Sequence, residues 1–116
     1  MLRFCGFDLE LTVETVLPRQ PDQRAVFSAI DSTGEHWLIV EGGHGDGRVT
    51  WICAPASARV VELVSAGRAA AADAVHHSRT GWVEVVRVVG GRTVPDQRVS
   101  CSALAALARS DGGVVA

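Results

Sequence analysis

From Leu9 to Leu17 the chain alternates. Leu9, Leu11, Val13, Thr15 and Leu17 point one way, and Glu10, Thr12, Glu14 and Val16 the other, which is the period of a strand with one wet face. Pro18, Pro21 and Asp22 break it into a turn. Arg24 to Ile30 resumes as a strand, with Ala25, Phe27 and Ala29 on one side and Val26, Ser28 and Ile30 on the other. Asp31-Ser32-Thr33-Gly34 is a short polar segment ending in Gly, a hairpin turn. Glu35 to Val40 and Arg48 to Ala54 are rich in β-branched and aromatic residues and predict two more strands. Glu41 to Gly47, EGGHGDG, is expected to join them as a long flexible loop. Short links between consecutive strands favour an antiparallel meander.

The pattern then changes to helix. Pro55 suits a helix start, and Ser57 suits a cap. Val60, Leu63 and Val64 recur at helical spacing, widened by Val61, and Gly67 is a natural stop. Ala69 to His77 predicts a second, alanine-rich helix. Trp82 to Val89 is a strand with apolar residues on both faces, so its hairpin should be central or covered. Gly90-Gly91 predicts a two-residue turn, followed by a return strand from Arg92 that breaks at Pro95-Asp96 and resumes at Val99 to Cys101. Ser102 is placed to cap a last helix over Ala103 to Arg109. Pro21-Asp22-Gln23-Arg24 is echoed at Pro95-Asp96-Gln97-Arg98, which we read as two similar turns entering strands rather than a duplicated binding loop. The expected fold class is α+β: an antiparallel sheet of about five or six strands, a meander plus a C-terminal hairpin, with two or three short helices packed on one face. Residues 1–109 form a single α+β domain, and 110–116 a frayed C-terminal tail.

Composition narrows the function. The 116 residues are 47% hydrophobic and 21% charged, enough for one domain with its own core. Thirteen acids against eleven arginines leave a net charge of -2, so no nucleic-acid partner is expected. There is no long apolar run and no charged-then-apolar leader, so neither a membrane nor export is expected, and the localisation is expected to be cytoplasmic. Cys5, Cys53 and Cys101 are scattered and odd in number, which argues against a disulfide framework or a zinc knuckle. The chain has no Lys, Asn or Tyr and abundant Ala, Val, Arg and Gly, the mark of a GC-rich and so bacterial genome. Lysine chemistry is excluded outright.

Several stretches carry a likeness in order: Val26-Phe27-Ser28-Ala29-Ile30-Asp31 with Gly34; Trp51-Ile52-Cys53-Ala54-Pro55; Leu63-Val64-Ser65-Ala66-Gly67-Arg68; Asp73-Ala74; Gly81-Trp82-Val83-Glu84-Val85-Val86; and Ser102-Ala103-Leu104-Ala105. In these the chain resembles a family of small uncharacterised bacterial α+β domains common in plasmid- and phage-rich genomes. The resemblance covers most of the chain, but its motifs are structural and mostly apolar. The chain departs from the family pattern at Pro21-Asp22-Gln23-Arg24, where Tyr-Asp-Gly-Pro is frequent, and at Ala105, where the family has Pro. The resemblance implies the fold and an accessory, antitoxin-like or immunity-like setting, and it supplies no catalytic residue.

Candidate chemistry is sparse. The glycines at 42, 43, 45 and 47 offer backbone N–H groups to an anion, but a phosphate loop needs a helix after it, and a strand follows here. Glu41, His44 and Asp46 in that loop, with His76 and His77, are the ligand-binding candidates for a small-ligand or metal-binding reading. His76 and His77 read equally as helix-end histidines that complement the dipole. A Cys53–His36 nucleophile pair requires the register to bring them together and Cys53 to be accessible. No metal, no cofactor and no catalytic residue is assigned. Trp37, Trp51 and Trp82 are the interaction candidates, with Trp37 and Trp51 expected to pair across a hairpin. The leading expectation is a non-enzymatic protein-interaction module whose partner is another protein or a second copy, as a homodimer. Nucleic-acid binding is the remaining alternative.

Overall fold

The computed structural model describes residues 3–6, 9–18, 25–45, 48–78, 80–90 and 92–104. The chain is an α+β fold. Seven strands, β1 (Arg3–Gly6), β2 (Leu9–Val16), β3 (Val26–Asp31), β4 (His36–Gly45), β5 (Arg48–Pro55), β6 (Trp82–Val89) and β7 (Arg92–Ser100), form one antiparallel sheet in sequence order. All six strands read from the pattern are present, and the short β1 extends the sheet at the β2 edge. Two helices, α1 (Ala58–Ser65) and α2 (Ala71–His76), are inserted between β5 and β6, and residues 101–104 turn helical after β7.

Alternation divides the core in two. Leu17, Val26, Leu38, Val40, Ile52, Ala54, Val83, Val85 and Val99 share one buried cluster with Val64 of α1, Ala71 and Val75 of α2, and Leu104. Leu11, Ala29, Trp37, Ile39, Cys53 and Val86 form a second cluster drawn from strands, with Val13, Phe27 and Trp51 packed against it. Successive strand residues point to opposite faces, so Leu38 and Ile39, or Ile52 and Cys53, serve different clusters.

The helices close locally as their residues dictate. The Ser57 hydroxyl accepts the Val60 N–H at 3.2 Å, capping α1. Gly67, at φ +73°, donates its N–H to Val64, and Arg68 donates to Leu63 at 2.8 Å, the paired bonds that satisfy the last carbonyls of a helix. Pro55 ends β5 rather than opening the helix. The turn after β7 is capped by Ser100, whose hydroxyl accepts the Ala103 N–H at 3.1 Å, rather than by Ser102.

Two segments differ from their sequence reading. The glycine-rich stretch is not a long loop. β4 runs on to Gly45, with a register shift between Glu41 and Gly43, leaving only 46–47 before β5. A Cβ on Gly42 would sit 3.2 Å from the Ile52 side chain, a tight approach that glycine relieves beside the register shift. Pro95-Asp96 does not break the return strand either. β7 is continuous and absorbs the pair in a bulge opposite β6. It is an edge strand, where a proline's missing N–H is tolerated.

The β3–β4 turn is built on one carboxylate. Asp31 Oδ1 accepts from the Thr33 N–H (2.8 Å), the Thr33 hydroxyl (2.6 Å) and the Glu35 N–H (3.0 Å), and Oδ2 accepts from the Trp37 indole at 3.0 Å. Desolvation pushes this carboxyl up, but the bonds from Thr33, Trp37 and the backbone together outweigh it and hold its pKa at about 2. A carboxyl whose folded pKa is depressed stabilises the fold above its unfolded value and stops doing so as pH falls through the folded one. Asp31→Ala is expected to cost about 1–2 kcal/mol at pH 7. In urea titrations the gap between wild type and variant should narrow as pH falls from the ordinary value of 3.8 toward about 2.

Candidate functional site

The ladder between β5 and β6 ends at Cys53 opposite Glu84. Beyond that rung the chain leaves through Pro55 toward α1 and returns through Thr80 to Trp82. The strand ends part there, and a recess of about 400 Å3 opens, lined by Glu35, Trp37, Thr80, Trp82, Glu84 and Arg98 among others. That volume suits a side chain or a small ligand.

Each wall has its own local support. Trp37 is 9% exposed and its indole N–H is tied to Asp31. Trp82 is 50% exposed. Its carbonyl accepts the Ser78 hydroxyl at 2.8 Å, and its N–H donates to the Thr80 hydroxyl at 3.3 Å. Gly81, at φ +78°, lets the chain turn between them, and its carbonyl accepts the Cys101 N–H at 3.0 Å. Glu84 and Arg98 in the lining end a row that crosses the sheet: Phe27, Ile39, Cys53, Glu84 and Arg98 are successive cross-strand neighbours.

Glu84 is the anomaly in that row. It is 4% exposed, between the apolar Cys53 and an arginine. Its Oε1 accepts from Arg98 Nε at 2.7 Å, while the Arg98 side chain is 60% exposed. Its Oε2 is buried with no hydrogen-bond partner. A carboxylate oxygen in that state costs free energy that an apolar residue would not. The recess therefore combines a buried carboxylate, two tryptophans and an exposed guanidinium.

The sequence-predicted residues distribute as follows. Trp37 and Trp82 meet at the recess. Trp51 does not join them, and it does not pair with Trp37. Its register partner is Glu41 and its ring lies 5.5 Å from Phe27, whereas Trp37 faces Pro55. Glu41 sits beside Ala25, whose N–H approaches Oε1 at 3.4 Å. His44 is on β4, but its side chain, like Asp46, lies outside the described residues. His77 is exposed, its Nδ1 3.0 Å from the Asp73 carbonyl, and it lines a separate hollow of about 340 Å3 with Val60, Leu63 and Ala74. His76 is half-buried at the end of α2. Among the described residues no group of three or more His, Cys, Asp or Glu is placed to hold a metal ion. Cys53 is buried opposite Ile39, and His36 alternates onto the other face, 3.9 Å from Glu14, so the register separates that pair.

Glu84 and Arg98 escaped the sequence reading. One signal was available: Glu84 is a lone acid inside an apolar strand, in phase with Trp82 and Val86. No protein-family model, curated protein or solved structure matches this chain, so its function is read from the recess itself.

The Glu84–Arg98 pair predicts an asymmetric mutational result. Arg98→Ala leaves a buried carboxylate uncompensated and is expected to cost about 2 kcal/mol, a buried pair's cost discounted for the exposed guanidinium. Glu84→Leu with Arg98→Met is expected to fall within about 1 kcal/mol of wild type or above it. Chemical denaturation of the three proteins checks both.

Proposed function

We propose that this chain is a non-enzymatic protein-interaction module, its helices packed on one face of the sheet and its partner received at the recess on the other. The observation that carries this reading is the half-exposed Trp82 at the edge of a recess whose buried acid has an unmet acceptor. Exposed tryptophan beside a pocket is the side chain most enriched where binding energy concentrates. A polar group kept at a cost to stability is commonest where a ligand or partner completes it. The resemblance to small bacterial domains of plasmid- and phage-rich genomes adds a setting, a cytoplasmic accessory protein, to the same reading. The partner is a different protein or a second copy of the chain.

Trp82→Ala tests this, with Val89→Ala as the control. Val89 is 43% exposed at the far end of β6, away from the recess. A partner recovered from native cells with wild type is expected to be retained by Val89→Ala and lost with Trp82→Ala. Light scattering decides the self-association arm, where a dimer mass should fall to that of a monomer on Trp82→Ala. A partner or dimer that ignores Trp82→Ala would overturn the reading.

A further inference from the structure

We infer that the occupant of the recess is Trp82 of a second copy of this chain, the two copies exchanging tryptophans about a two-fold axis. This rests on the interaction-module reading and names its partner. Trp82 is at once a wall of the recess and a projection beside it, with half of its surface exposed. A partner that supplied only a projecting side chain would fill the recess and leave that half in water. A partner that supplied only a hollow would cover Trp82 and leave the recess open. A second copy of the same surface supplies both, because a two-fold contact repeats every pairing in reverse.

Four features fit the exchange. A recess of about 400 Å3 admits an indole. The projection is held ready: the Trp82 carbonyl accepts the Ser78 hydroxyl at 2.8 Å, and its N–H donates to the Thr80 hydroxyl at 3.3 Å. Docking therefore orders little backbone. The recess lies at an open side of the sheet. Trp82 begins β6, and Arg98 sits on β7, the outermost strand on that side among those described, which leaves a second copy room to approach. Finally, thirteen acids and eleven arginines leave a net charge of only -2, so two copies meet with little long-range repulsion.

The test is made on the full chain in two measurements. Sedimentation equilibrium between about 10 μM and about 1 mM is expected to give twice the 12.2 kDa mass of the chain, with a dimer Kd below about 100 μM. Trp82→Ala removes the residue from both sides of the axis and should raise that Kd about 100-fold or more. Val89→Ala should change it less than about 3-fold. The second measurement mixes 13C,15N-labelled and unlabelled wild type in equal amounts. Isotope-filtered NOE spectra are expected to connect ring protons of the unlabelled copy's Trp82 to the Thr80 methyl and Trp37 indole N–H of the labelled copy. This reading needs no variant, so it stands should Trp82→Ala prove unstable.

A chain that stays monomeric at about 1 mM, a dimer without those cross-copy NOEs, or a dimer Kd unmoved by Trp82→Ala would overturn the inference. A monomeric wild type whose native partner is nonetheless lost on Trp82→Ala would put a different protein in place of the second copy and leave the interaction module standing. Native partner and dimer both indifferent to Trp82→Ala would remove the module itself.

Discussion

A slip of one residue between β5 and β6 would turn Glu84 into the cluster that holds Val83 and Val85 and swing those valines out of it. In a sheet buried on both faces, register is therefore heavily specified. Here it is specified by apolar content on either side: Ile52 with Val85 on one face, Cys53 and Val86 on the other. That double commitment is what holds a carboxylate in place where burial alone would expel it. The acid is carried by the register of its neighbours.

Such a placement has a physical consequence. Glu84 contributes little to stability, because Arg98 reaches only one of its oxygens and does so from the solvent side. Leucine or valine at that position would extend the row from Phe27 through Ile39 and Cys53 at lower cost. The surrounding strands supply the stability, and the row spends part of it on an acceptor. The recess depends on a second constraint, the departure of the chain after Pro55. Had β5 and β6 been joined by a tight turn, the ladder would have continued past Cys53 and closed the gap. The helical insertion both adds residues to one core cluster and keeps the strand ends apart.

Much of the fold was legible because its signals are local. Alternation marked β2 and β3, β-branched and aromatic residues marked β4 and β5, a run apolar on both faces marked β6, Ser57 and Gly67 marked the two ends of α1, and Asp31 to Gly34 marked the turn. What was not legible depends on register. Glycine in EGGHGDG weakens any strand prediction, yet Gly42 stays in β4 next to a register shift, where a Cβ would crowd the Ile52 side chain at 3.2 Å. Pro95 forbids a regular ladder, yet an edge strand absorbs it. Its bulge decides the site. Counting outward from the 90–91 turn, Val89 faces Arg92, Val88 faces Thr93 and Arg87 faces Val94. Continuing that count would set Glu84 opposite Gln97. The extra residue at 95–96 moves the partner on by one, to Arg98. Trp37 and Trp82 were visible as candidates, but that they share a recess while Trp51 stands apart follows from pairings that composition does not contain.

Four separate devices meet at the recess. The Asp31 turn orients the Trp37 indole, and the Ser78–Thr80 hydroxyls hold the backbone of Trp82. The β5–β6 register sets Glu84, and the β7 bulge delivers Arg98. Each has a plain structural role when taken singly. Asp31 would be worth its bonds to Thr33 and Glu35 without Trp37, and an edge strand can bulge around a proline for no further end. Their convergence on one gap is harder to assign to folding alone, since local choices that serve only stability would fill that gap with apolar side chains. A sequence tends to depart from its own best packing where something outside the chain completes it. In this chain that departure is Glu84 Oε2, an acceptor removed from water and left without a donor among the described residues.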